Sequence, residues 1–144
     1  MNRIIAVSNQ KGGVGKTTTA INLSACLAEK GQRVLVIDID PQGNTTSGFG
    51  IDKYNTESTV YELMVGECLL EECMIENIYE KLSIIPSNVN LAGAEIELID
   101  IDEKEYILKK EIDKVKDKFD YVIIDCPPSL NILTVNAMTT ANTI

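Results

Sequence analysis

A glycine-rich loop between an apolar strand and a helix restricts this chain more than any other feature of its sequence. The loop follows the β-rich run Arg3–Ser8 and reads Lys11-Gly12-Gly13-Val14-Gly15-Lys16-Thr17-Thr18. Three glycines in four residues allow successive backbone N–H groups to turn inward around an anion. The following helix adds the unpaired amides and the positive dipole end of its N-terminus. The loop therefore predicts a binding site for phosphate groups.

Individual loop residues have distinct expected roles. Lys16 is expected to reach the β- and γ-phosphates of a nucleotide, and the hydroxyl of Thr17 is expected to coordinate Mg²⁺. The general P-loop pattern has a glycine six residues before this lysine, where the chain has Gln10. An additional lysine, Lys11, stands at the mouth of the loop instead.

Three aspartates follow predicted strands, at the edge where open α/β sheets carry their chemistry. Asp38 and Asp40 close the apolar run 34–37, and Asp125 closes the run 121–124. An apolar strand that ends in aspartate is the Walker B arrangement, so Asp125 is predicted to hold Mg²⁺ through a water. Asp40 is the candidate for orienting or activating the attacking water, because phosphoryl transfer needs positioning more than a strong base. Asp38 has the alternative role of holding neighbouring loops or waters.

Strand and helix signals alternate along the chain. Strands are predicted at residues 3–8, 34–37, 82–86 and 121–124, and helices at residues 17–30, 59–62, 108–119 and 131–141. The alternation predicts an α/β fold with a doubly wound parallel sheet. Residues 41–58 are rich in Gly, Asn, Thr and Ser and are predicted to be loop. Residues 1–144 are predicted to belong to one P-loop nucleotide-binding domain.

Composition argues against several other functions. The net charge is −9, and residues 41–102 hold twelve acidic and two basic residues, so this part of a protein alone should not bind nucleic acid. The chain has no histidine, and its four cysteines form no C-x-x-C pair, which argues against a zinc site. No apolar run approaches the roughly 20 residues that span a bilayer, and no signal peptide is recognisable. A cytoplasmic location without a membrane partner is expected.

Two further motifs accompany the loop. They are Asp38–Thr46, which reads D-I-D-P-Q-G-N-T-T, and Asp125–Leu130, which reads D-C-P-P-S-L. The loop itself is similar to the deviant Walker A motif K-G-G-x-G-K-[ST]-[ST]. Together the motifs resemble the ParA/Soj partitioning ATPases, in the order of that family and across essentially the whole chain.

The resemblance implies a P-loop NTPase of the deviant Walker A class that binds and hydrolyses ATP with Mg²⁺. Lys11–Thr18 would bind the nucleotide, Lys11, Lys16 and Asp40 would act in catalysis, and Thr17 and Asp125 would hold the metal. In this class the first lysine crosses a dimer interface to the nucleotide of the partner subunit. The alternative is that Lys11 serves the phosphates of its own subunit.

The resemblance also implies partners and a longer parent protein. Family members form ATP-dependent homodimers, bind DNA non-specifically through their C-terminal part and are stimulated by a ParB/Spo0J-like activator. The parent protein would be nucleoid-associated in the cytoplasm and act in chromosome or plasmid partitioning. Because family members continue well beyond residue 144, the chain is expected to be C-terminally truncated, with residues 1–144 as the N-terminal part of a larger single ATPase domain. The strand before the loop is expected beside the strand that ends in Asp125.

Three other functions agree less well with the sequence. A MinD-like ATPase that cycles on and off membranes is the alternative function, but such proteins lack P-Q-G-N after the aspartate. An iron–sulfur redox protein of the same class needs a cysteine beyond the Walker B region, and none follows Cys126. A nucleotide-binding module without catalysis is disfavoured by the presence of Lys16, Thr17, Asp40 and Asp125.

Overall fold

Five β-strands form one sheet in the part of the chain that the computed structural model describes. That part is residues 3–7 and 14–142, with the backbone alone for residues 14–18. The strands are β1 (Arg3–Val7), β2 (Val34–Asp38), β3 (Ile75–Tyr79), β4 (Leu82–Ile85) and β5 (Tyr121–Asp125). Their spatial order is β1-β5-β2-β4-β3.

Helices connect the strands. They are α1 (Val14–Glu29), α2 (Asn44–Gly48), α3 (Val60–Met64), α4 (Leu70–Cys73), α5 (Ala94–Glu97), α6 (Ile107–Asp113) and α7 (Ile132–Thr140). Thr59 and Glu62 form the capping box of α3, and Asn131 caps α7 through the amides of Leu133 and Thr134. None of the helices within the described ranges is both long and apolar enough to cross a bilayer.

The pairing of the central strands confirms the predicted parallel sheet. β5 lies between β1 and β2 and pairs in parallel with both, and β4 pairs in parallel with β2. The strand before the glycine-rich loop therefore lies beside the strand that ends in Asp125, as expected. On the other side of β1, the N–H of Ile4 donates to Asn142 Oδ1 and the N–H of Asn142 donates to the carbonyl of Ile4, both at 2.9 Å.

Several local features differ from the sequence-based predictions. β3 is an additional strand, antiparallel to β4, in a segment for which no strand was predicted. Residues 41–58 contain the five-residue helix α2. The predicted helix 108–119 ends as an α-helix at Asp113 and is followed by a 3₁₀ turn at Lys116–Lys118.

Apolar side chains fill both faces of the sheet, because successive residues of a strand point to opposite faces. Leu35 and Ile37 of β2 pack in a core that includes residues of α3, α6 and α7. Val34 and Val36 pack on the opposite face, in a core that includes Ala20 of α1. Every residue of β2 is buried. Helices thus cover the sheet on both sides, which makes the fold a doubly wound α/β sheet and fixes the positions of the strand ends.

Candidate active site

The carboxyl ends of three neighbouring strands bring the predicted site residues to one edge of the sheet. Val7, the last residue of β1, lies opposite Asp125, the last residue of β5. Asp125 in turn lies opposite Asp38, the last residue of β2. The N–H of Cys126 donates to the carbonyl of Val7 at 3.1 Å and continues the β1–β5 pairing by one residue. The chain therefore leaves β1 toward the glycine-rich loop directly beside Asp125.

The glycine-rich loop itself is described only at its end. Lys11, Gly12 and Gly13 lie outside the described residues, so their roles stay predictions. The backbone of Val14–Thr18 forms the beginning of α1, a helix of 16 residues. The first amides of a helix have no acceptor within it and carry the positive end of its dipole. The sequence predicted anion binding by Gly15, Lys16, Thr17 and Thr18 at this helix start, and that role stays a prediction.

Asp125 is fully buried and receives a hydrogen bond from the loop that follows β2. The hydroxyl of Thr45, in the first turn of α2, donates to Asp125 Oδ2 at 2.5 Å. The predicted metal-binding aspartate is thus connected to the segment that carries Asp40.

Asp38 is also fully buried, and both of its carboxylate oxygens accept hydrogen bonds from the same loop. Its Oδ2 accepts from the N–H of Thr46 at 2.9 Å and from the Thr46 hydroxyl at 2.7 Å, and its Oδ1 accepts from the N–H of Asp40 at 3.1 Å. Burial raises the pKa of Asp38 to about 7, and the charge of Asp125 acts in the same direction. These contacts favour the alternative role for Asp38, which is to hold the loop.

Asp40 lies at the start of a tight turn, with 5% of its surface exposed. Its Oδ1 accepts from the N–H of Gln42 at 3.0 Å, and its carbonyl accepts from the N–H of Gly43 at 2.8 Å. Gly43 has a φ of 64°, which glycine adopts readily and most other residues do not. The turn places the Asp40 carboxylate at the same edge as Asp38 and Asp125.

Three hydroxyl residues of this region were not identified as site residues from the sequence. Thr45 and Thr46 hold the two strand-end aspartates, and Ser87 donates through its Oγ to the carbonyl of Asp40 at 2.8 Å. All three are fully buried. The sequence could have identified Ser87 by its position, because this residue follows the predicted strand 82–86 and is therefore expected at the carboxyl edge of the sheet.

The donor set at this edge fits Mg²⁺. Within the described part of the chain, no three carboxylate or cysteine side chains converge on one metal position. Mg²⁺ in nucleotide sites is typically held by one or two protein oxygens, with phosphates and waters completing the octahedron. The carboxylate of Asp125 is a hard oxygen donor of this kind, as is a threonine hydroxyl, and the assignment of Asp125 and Thr17 to Mg²⁺ stays a prediction.

The raised pKa of Asp38 predicts a pH dependence of stability. The folded protein holds this proton more tightly than the unfolded chain, whose aspartate titrates near its ordinary value of 3.8. Between about pH 4 and pH 7 the unfolded chain releases the proton while the folded protein keeps it, so the free energy of unfolding decreases as pH rises and then levels off. The free energy of unfolding should be about 2 kcal/mol larger at about pH 5.5 than at about pH 7.5 because of this group.

Denaturant unfolding with a chelator and without nucleotide measures this difference. Asp38→Asn should lose it, whereas Asp52→Asn, at an exposed loop aspartate, should keep it. An unchanged pH dependence in Asp38→Asn would assign the effect to other groups.

Comparison with known proteins relates this geometry to a family. Residues 2–144 match a family model described as AAA domain. The chain is 51% identical to the sporulation initiation inhibitor protein Soj of Bacillus subtilis over 144 residues, which is 100% of the chain and 57% of Soj. It is 46% identical to the chromosome partitioning protein ParA of Myxococcus xanthus, over 99% of the chain and 50% of that protein. The chain spans about half the length of these curated relatives.

A solved structure shows the same architecture. The crystal structure of cobyrinic acid a,c-diamide synthase from Mycobacterium smegmatis with bound ATP analogue and magnesium matches with a TM-score of 0.93. The sequence identity is 43%, and the match covers 98% of the chain and 57% of that protein.

Proposed function

We propose that this chain, which belongs to the Soj and ParA group of the AAA domain family, binds ATP with Mg²⁺ and hydrolyses it as a molecular switch in chromosome or plasmid partitioning. One observation carries the proposal. The adjacent strands β1, β5 and β2 end at the same edge of the sheet. This edge holds Asp125, the turn Asp38–Asp40 and the end of β1, the strand before the glycine-rich loop. The ATP analogue and magnesium bound to the Mycobacterium smegmatis protein support the choice of ligands.

In this proposal each group has a separate task. The loop Lys11–Thr18 binds the phosphates, with the amides at the start of α1 and the charge of Lys16 facing them. Thr17 and Asp125 would hold Mg²⁺, which neutralises charge on the β- and γ-phosphates when bound. Asp40 orients the attacking water. The hydrolysis step depends on this positioning and on the positive charge around the phosphates.

Partitioning requires more than nucleotide hydrolysis. We propose an ATP-dependent homodimer that binds DNA non-specifically and is reset by a ParB/Spo0J-like activator, in the cytoplasm at the nucleoid. The name of the Myxococcus xanthus relative, a chromosome partitioning protein, supports the partitioning role. The acidic balance of residues 41–102 suggests that DNA binds elsewhere, in the part of such proteins that lies beyond the matched half.

The Mycobacterium smegmatis structure favours a second candidate, because the protein is named as a synthase that acts on cobyrinic acid. A shared nucleotide-binding fold does not by itself establish a shared reaction. Phosphate release by the protein with ATP and Mg²⁺ tests the two against each other. Stimulation by double-stranded DNA supports the partitioning switch, and stimulation by cobyrinic acid but not by DNA would replace it with the synthase.

The role of Lys11 gives a more specific prediction. If Lys11 reaches the nucleotide of a partner subunit, Lys11→Ala should retain ATP binding by the monomer and lose the ATP-dependent dimer in sedimentation velocity. The matched control is Lys118→Ala, because Lys118 is exposed and precedes β5 at the opposite edge of the sheet. Equal loss of ATP binding and dimer in Lys11→Ala would instead favour a lysine that serves its own site.

A further inference from the structure

We propose that Ser87 is a positioning residue that holds Asp40 in the orientation required for ATP hydrolysis, an inference that rests on the proposed function. Ser87 lies two residues beyond the end of β4 and is fully buried. Its Oγ donates to the carbonyl of Asp40 at 2.8 Å. This contact joins the loop after β4 to the loop after β2, across 47 residues of sequence.

The main chain of Asp40 is held on both sides of its Cα atom. On one side its N–H donates to Asp38 Oδ1 at 3.1 Å. On the other side its carbonyl accepts from Ser87 Oγ and from the N–H of Gly43, both at 2.8 Å. Fixing both peptide groups fixes the direction of the Cα–Cβ bond. The orientation of the Asp40 carboxylate is therefore set by these backbone hydrogen bonds and by the hydrogen bond that its Oδ1 accepts from the N–H of Gln42.

Ser87 also acts on the second aspartate of the site. Its N–H donates to the Thr46 hydroxyl oxygen at 3.0 Å, and that hydroxyl donates to Asp38 Oδ2. The parallel pairing of β2 with β4, in which Ile37 lies opposite Ile85, brings the two loops to this distance. One residue thus supports Asp40 directly and Asp38 through Thr46.

Burial gives these contacts their importance. Ser87, Thr46 and Asp38 are 0% exposed, so bulk water cannot readily replace a hydrogen bond that is removed. A small displacement of a group that positions a reactant can cost a large factor in rate, while ground-state binding of the nucleotide is little affected. Loss of the Ser87 hydroxyl should therefore act on the rate of hydrolysis and not on nucleotide affinity.

The test compares Ser87→Ala with Ser87→Thr and with a matched serine within β4. Ser83 is 6% exposed, and its Oγ accepts from the N–H of Asn77 at 3.1 Å, in contact with β3 and not with the aspartate loop. In Ser87→Ala, kcat for ATP hydrolysis should fall about tenfold with KM unchanged, as expected for one buried hydrogen bond. Ser87→Thr, which keeps the hydroxyl, should restore most of the rate, and Ser83→Ala should leave it unchanged.

Amide hydrogen exchange gives a measurement that does not depend on turnover. The N–H of Gln42 donates to Asp40 Oδ1 at 3.0 Å, so its exchange rate reports the position of that carboxylate. Exchange at Gln42 should become faster in Ser87→Ala and stay as in the wild type in Ser83→Ala.

The outcomes separate this inference from the proposed function. Equal behaviour of Ser87→Ala and Ser83→Ala in both measurements would overturn the role of Ser87, as would a parallel loss of nucleotide affinity and kcat. A wild-type protein that hydrolyses no ATP would refute the proposed function, and the Gln42 exchange rate would then decide alone. Faster exchange of the Gln42 amide in Ser87→Ala would show that the Ser87 hydrogen bond holds Asp40 in place, and unchanged exchange would refute this role.

Discussion

Replacing Lys16 by alanine is expected to abolish measurable ATP binding. Lys16 lies in the first turn of α1, and α1 follows the loop that begins at Val7, beside Asp125. A lysine there can donate up to three charge-assisted hydrogen bonds to the phosphates, and because each contributes about tenfold to a hundredfold in affinity, losing all of them takes binding below the measurable range. Isothermal titration calorimetry with ATP and Mg²⁺ measures the change.

Lys30→Ala is the matched control for this experiment. Lys30 follows the other end of the same helix, and its side chain is exposed. This variant should bind ATP as the wild type does. Wild-type affinity in Lys16→Ala would refute the assignment of the phosphate loop.

Replacing Asp40 by alanine is expected to remove hydrolysis while ATP binding and the ATP-dependent dimer remain. Orienting the attacking water is a task of the transition state, so its loss lowers kcat without a corresponding loss of affinity. The rate of phosphate release should fall by about 10²- to 10⁴-fold, the usual contribution of a positioned acid or base. Single-turnover phosphate release and calorimetry on the same preparation separate the two effects.

Asp40→Asn refines this test, because the structure shows a second use of the Asp40 side chain. The amide oxygen of asparagine can still accept from the N–H of Gln42, so the turn should persist while the negative charge is lost. Asp52→Asn is the control, since Asp52 Oδ1 accepts from the N–H of Tyr54 in a similar turn on the exposed surface. If hydrolysis persists unchanged in both Asp40 variants, Asp38 becomes the next candidate despite its contacts with Thr46 and Asp40.

The antiparallel strand β3 shows where sequence patterns give too little signal. Its five residues do not alternate between buried and exposed positions, and Asn77 within it has a φ of 52°, in the left-handed region. The pairing with β4 is irregular at this point, and the N–H of Asn77 donates to the side chain of Ser83 instead. A strand without alternation or regular pairing is defined by its neighbour and not by its own residues.

Helix α2 shows a second limit of prediction from sequence patterns. Its residues, Asn44–Gly48, are poor helix formers, which is why the segment was predicted to be loop. Tertiary contacts stabilise it, because Thr45 and Thr46 donate to Asp125 and Asp38. At Gly48 the helix approaches α1 so closely that a Cβ atom would lie 2.3 Å from the side chain of Ile21.

The sequence by itself determined the elements of the site and the edge at which they lie. Apolar runs that end in aspartate, and a glycine-rich loop between a strand and a helix, are local patterns, and the carboxyl ends of parallel strands share one edge. Only the tertiary structure decided how the aspartates are held. The strand order β1-β5-β2-β4 places Asp125 between Val7 and Asp38, and it brings Ser87 to the carbonyl of Asp40. The physical reason is that hydrogen bonds across 41 to 80 residues of sequence depend on how the strands pack, which no local pattern encodes.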